Sequence, residues 1–254
     1  MAPVSSVEGP SRLLLDLAAG AGHFFEYFGL VAAIGAFVVR RIGRFAPRIG
    51  WANPPMTAML ATALAGGLVL LALSHTWLIG TRVALEAVAL VLCWRGIRLV
   101  ALPLVLAAVM LPLSGHAASV QPTPAGAELN DAVHILSAAM WAGGVIALAS
   151  LRPPGGWRAA EAQVMLERFG RVAVIAFVVT ALTGLLSATE HLAALSDLWT
   201  TAYGIWLAAK VLCVGGMLAL SLLWRVGPGG RLEAIGAALV VVTTAGLAVL
   251  PPPA

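Results

Sequence analysis

Residues 99–113 read LVALPLVLAAVMLPL. No charged or polar side chain interrupts the run. Its apolar residues do not alternate with polar ones as they do along a barrel strand. In hydrocarbon every backbone amide needs an internal partner, so a run of this kind is a helix. The rest of the chain is written in the same way. Its 254 residues are 61% hydrophobic and 10% charged, and its mean hydropathy is +0.97. Soluble domains carry about 25% charged residues. A chain this apolar cannot cover a water-facing surface, so its solvent is mostly lipid. The expected class is all-α, a polytopic transmembrane helical bundle.

Working outward, spans of roughly 20 residues fit at 13–39, 55–74, 76–94, 97–115, 129–151, 168–190, 202–225 and 231–250. Eight helices are therefore expected, forming one transmembrane domain over 1–254. It has an N-terminal four-helix half over 13–110 and a second half over 111–254. Short links rich in Gly, Pro and Arg join the helices, and none is long enough to fold alone. The first apolar segment follows Arg12 and is too long for a signal-peptide core, so it reads as the first span.

The net charge of +4 does not indicate nucleic acid, because the basic residues sit at helix ends. Of 15 Lys and Arg, only Arg12, Arg82 and Lys210 lie off four alternate links. Those links hold Arg40, Arg41, Arg44 and Arg48, then Arg95 and Arg98, then Arg152, Arg158, Arg168 and Arg171, then Arg225 and Arg231. The positive-inside rule places the arginine links in the cytoplasm and both termini outside.

The five histidines fall in the outer half of this topology. His75, His116 and His191 lie in or beside outer links, His134 in the first turns of the fifth helix, and His23 near the middle of the first. His116 and His134 flank one link, so antiparallel helices bring them together. Imidazole suits copper, zinc and iron. Asp131 is three residues before His134, either as a ligand or ring-orienting acceptor or as a helix cap beside Asn130. Met110 and Met140 lie deeper, and Met56, Met59 and Met217 further in. Thioether sulfur favours Cu(I), although methionine also fills irregular cores. Cys93 and Cys213 read as small core residues.

Charges inside spans are costly and informative. Glu26 lies one turn from His23, and Arg82 one turn from Glu86. The second pair is expected to bond within its helix. Lys210, the only lysine, is expected either to snorkel or to pair with Glu26 or Glu86. Trp141-Ala142-Gly143-Gly144 is expected to pack the fifth helix inside the bundle. Walker A, GxSxG and HExxH motifs are absent from the sequence.

Several segments resemble the copper resistance D (CopD) family. They are Leu113-Ser114-Gly115-His116-Ala117, and Asp131-Ala132-Val133-His134 running into Trp141-Ala142-Gly143-Gly144. Further on come Arg168-Phe169-Gly170-Arg171, Thr180-Ala181-Leu182-Thr183-Gly184, Thr200-Thr201-Ala202-Tyr203-Gly204 with Lys210, and the Arg231-Leu232-Glu233 to Pro251-Pro252-Pro253 ending. The resemblance runs from about Leu111 to the C-terminus. It implies a bacterial inner-membrane protein that moves copper, as Cu(I) or Cu(II), from periplasm to cytoplasm. A separate CopC-like periplasmic copper chaperone is the implied partner. His116 and His134 match positions expected to be functional, with Asp131, Met110, Met140, His23 and His191 as further candidate ligands. A second reading is an enzyme, a haem b oxidoreductase similar to HemJ-type protoporphyrinogen oxidases. There His23 and Lys210 would act and His134 would be an axial ligand. A third is a membrane assembly subunit without chemistry of its own.

Overall fold

The computed structural model describes residues 8–114, 124–191, 196–223 and 239. All regular structure among them is helical. In chain order it comprises α1 (Glu8–Gly43), α2 (Met56–Ser74), α3 (Trp77–Trp94), α4 (Ala101–Val109) and α5 (Pro124–Ala138). A π-helical turn (Ala139–Gly143) joins α5 to α6 (Gly144–Ala149). Then follow α7 (Ala160–His191), α8 (Asp197–Thr200) and α9 (Ala202–Leu223).

Among the described residues, five stretches are long and apolar enough to cross a membrane: Leu14–Gly43, Met56–Ser74, Trp77–Trp94, Ala125–Ala149 and Ala160–Ala188. Arg98–Val109 and Gly204–Gly216 are apolar but shorter. The chain is therefore a multi-pass membrane protein. The eighth expected helix, 231–250, falls outside the described residues except for residue 239.

Several boundaries differ from expectation. The fourth helix stops at Val109 instead of running to residue 115. Pro112 has no N–H for the carbonyl one turn back, and it pushes Leu111 out of helical geometry. α1 runs to Gly43, so Arg40 and Arg41 lie in its last turn. Cations there meet the negative end of the helix dipole. α7 starts eight residues early, which brings Arg168 and Arg171 inside it. Their long stems carry the charge outward. Arg171 pairs with Glu167 one turn back at 2.6 Å.

α1 is the centre of the bundle. Its residues Leu30, Ala32, Ala33, Ile34 and Ala36 are buried. Small residues let neighbours approach to backbone contact. A side chain at Gly29 would meet Ala63 of α2, one at Gly66 the backbone of Glu26, and one at Gly35 the backbone of Gly143. The Trp141–Gly144 stretch thus packs inside the bundle, as its small residues indicated. α7 leaves Val174, Ile175, Leu182 and Leu185 exposed, the expected state of a lipid-facing stripe. Cys93 and Cys213 are free and pack against the core.

Candidate functional site

Two clusters of polar side chains are built into this apolar bundle. The first joins α1 to α3. Arg82 Nε donates to Glu26 Oε1 at 2.6 Å and Nη2 to Oε2 at 3.0 Å, a bidentate charge-assisted pair. Exposure is 2% for Arg82 and 0% for Glu26, so the pair is sealed from solvent. The expected partner within the helix, Glu86, is not the one that Arg82 grips. The Nε and Nη2 edge of the planar guanidinium lies along the Glu26 carboxylate, a side-on fork that the side chains form by reaching from α1 and α3.

Glu86 is also wholly buried. Neither of its carboxyl oxygens has a hydrogen bond of good geometry, although the carboxyl feels the charges of Glu26 and Arg82. Gly67 of α2 makes room for both acids. A Cβ there would lie 2.7 Å from Glu86 Oε2 and 3.3 Å from Glu26 Oε1. His23 belongs with this cluster. It is half-buried, its Nδ1 is buried without a partner, and it feels the charge of Arg82.

The second cluster joins α5 to α7. Because α5 starts at Pro124, Asn130 and Asp131 lie inside the helix and cap nothing. Asn130 Nδ2 donates to Thr183 O at 3.0 Å and to Ser187 Oγ at 2.8 Å. Ser187 Oγ donates to Asp131 Oδ1 at 2.9 Å. Thr180 Oγ1 lies 2.8 Å from Ser137 Oγ.

His134 sits between these contacts, its Nδ1 3.0 Å from Thr183 Oγ1. The Thr183 hydroxyl has one proton. Within its own helix that proton is offered to Val179 O at 2.7 Å or Thr180 O at 3.1 Å. With the hydroxyl proton on either carbonyl, Thr183 Oγ1 accepts from the Nδ1–H tautomer of His134, and in that tautomer the lone pair is on Nε2. Gly184 leaves space for the ring, since a Cβ there would lie 3.1 Å from His134 Cε1.

Lys210 of α9 is not paired with Glu26 or Glu86. Its charge acts instead on Asp131 and His134. Tyr27 of α1 is within electrostatic reach of Glu26, Arg82 and Asp131, members of both clusters.

The other sequence candidates disperse. His116 lies outside the described residues, as does the side chain of His191. Met140 packs against the core, and Met110 caps the end of α4. His75 is exposed and closes α2 in a left-handed conformation, its N–H bonded to Leu71 O at 3.0 Å. Among the described residues no group of three or more His, Cys, Asp and Glu side chains is arranged to hold a metal ion. Thr180, Thr183 and Ser187 were missed as site residues. Their spacing of three and four was legible as one polar stripe on an otherwise apolar helix.

The fold and these clusters define a multi-pass helical membrane protein with polar sites enclosed between its spans. Residues 163–250 match the family model for copper resistance protein D, CopD. The match is a likeness of this part of the chain to that family, and the apolar helices agree with a membrane protein. No curated protein and no solved structure matches the chain. The matched residues include Thr180, Thr183, Ser187 and Lys210, the α7 and α9 side of the His134 cluster. His134 and Asp131 themselves precede them.

Proposed function

We propose that this protein binds copper as its substrate on the outer side of a bacterial inner membrane and passes it to the cytoplasm. The observation that carries the reading is the His134 ring, held by Thr183 at Nδ1; in its Nδ1–H tautomer Nε2 carries the lone pair for a metal. Metal-binding histidines have their other nitrogen committed to a hydrogen bond in this way, which fixes the tautomer and raises basicity. Asp131, one turn away, keeps Oδ2 for a second contact, and His116 would supply another imidazole from the adjoining link. Met110, Met140 and His23 are the candidate inward steps. Inward movement of a cation gains about 2.3 kcal/mol per charge per 100 mV of membrane potential, so passage needs no nucleotide motor. Arginine placement supports eight spans with both termini outside, and a CopC-like chaperone is the candidate donor.

One observation favours a second reading. The ammonium of Lys210 acts on both His134 and Asp131. A cation beside the ring opposes a copper ion, but it suits a haem propionate with His134 as axial ligand.

Copper content and the visible spectrum of detergent-purified protein distinguish the two. Copper near one equivalent, lost in His134→Ala and His116→Ala, is the expected outcome. A Soret band without copper would replace this reading with the haem oxidoreductase, and neither signal after copper loading would leave an assembly subunit.

A further inference from the structure

Past the end of α1 the chain turns through residues 44–55 and forms a half-open cavity of about 240 Å³. Arg40, Gly43, Arg44, Arg48, Gly50 and Asn53 line it. A water takes about 30 Å³ of liquid, so the space suits a tetrahedral anion and part of what it is attached to. A second, adjoining cavity adds Arg41 and Arg98 to the lining.

The charge here is uncompensated. Among the described residues no carboxylate pairs with Arg40, Arg44 or Arg48. Arg40 Nη2 donates to Pro54 O at 2.7 Å, whereas its Nε is buried with no partner. The nearby acids are engaged elsewhere, Glu161 with Trp51 Nε1 at 3.1 Å and Glu167 with Arg171.

The end of a helix normally presents bare carbonyls that repel anions. Here they are already taken. Arg168 reaches over from α7 and donates to the carbonyls of Ile42, Phe45, Ala46 and Pro47 at 2.8–3.5 Å. Ile49 N bonds Gly43 O at 2.8 Å. Arg168 thus screens the helix end and fixes the loop, leaving Arg44 and Arg48 free for an external anion.

We propose that this arginine-lined cavity is a binding site for a phosphate-bearing anion, supplied by the headgroup of an anionic phospholipid. Arginine forks match phosphate oxygens, and basic pockets at the cytoplasmic ends of spans hold anionic headgroups. Its position supports the lipid source, because Leu14–Gly43 is membrane-spanning and the cavity opens where that span ends. Orientation alone requires positive charge on one side. It requires neither a concave pocket nor a cation whose neighbouring carbonyls are satisfied by another residue.

The test uses full-length protein in detergent. Retention of phosphatidylglycerol or cardiolipin is read by native mass spectrometry and thermal unfolding, against phosphatidylcholine and against inorganic phosphate. Arg44→Gln/Arg48→Gln is compared with Arg95→Gln, an arginine outside both cavities. Both sites are exposed, so the fold should survive. The expected result is selective retention of anionic lipid, weakened about 30-fold by the double substitution and unchanged in Arg95→Gln. Equal weakening by Arg95→Gln, or none by the double variant, would overturn the site. Protection by inorganic phosphate without lipid retention would overturn the lipid source and assign the cavity to a soluble phosphate.

Discussion

Glu26, Arg82 and Glu86 bury formal charges between α1 and α3, whereas Asn130, Asp131, His134, Thr183 and Ser187 bury a chain of hydrogen bonds between α5 and α7. In the first cluster the strong donors are turned on Glu26, and the guanidinium is sealed at 2% exposure. Such a cluster braces helices. In the second, each bond passes to the next, and in the Nδ1–H tautomer His134 Nε2 is the atom that meets a ligand. The contrast teaches where chemistry belongs. A sealed ion pair at the bundle centre stabilises one arrangement, and an incomplete hydrogen-bond network leaves a position for a ligand.

The largest effect should come from breaking the brace. Arg82→Met leaves two buried carboxyls without their cation and should cost about 3–5 kcal/mol, read as a lower unfolding midpoint in detergent. Wild-type stability in that variant would erase the distinction between the clusters. Thr183→Val acts on the other side. It removes the acceptor that holds the His134 proton, so copper affinity should fall about 10–100-fold, while stability changes by about 1 kcal/mol. Unchanged affinity by calorimetric titration would mean that the tautomer is set elsewhere. The smallest effect is expected at Glu86. Glu86→Gln keeps the shape of the side chain and a donor toward the neighbouring Glu26 carboxylate, so stability should shift by less than about 1 kcal/mol. A loss comparable with that of Arg82→Met would make Glu86 a full member of the ion pair and sharpen the picture of that cluster.

The helical class was legible because an apolar run such as 99–113 has one viable form in lipid. The early end of α4 was written in Pro112. Arg82 was recognisable as a costly buried charge, but its partner was not. Glu26 lies 56 residues away and is brought near only by the close α1–α2–α3 packing that Gly66 and Gly67 permit. His134 was recognisable as a candidate. Its partners on α7 were readable as a stripe, but which helix they would face was not. The proposed meeting of His116 with His134 concerns a residue outside the described structure and stays a proposal.

The π-helical turn at Ala139–Gly143 has a consequence for chain length. Such a turn holds one residue more than an α-helix needs for the same advance. The segment carrying His134 is therefore rotated by roughly 100° against the segment that docks on α1, one residue's worth of screw. That surplus residue sets the azimuth of the histidine independently of the glycine seam. Length variation within Ala139–Gly143 would re-aim the ring without unseating the helix.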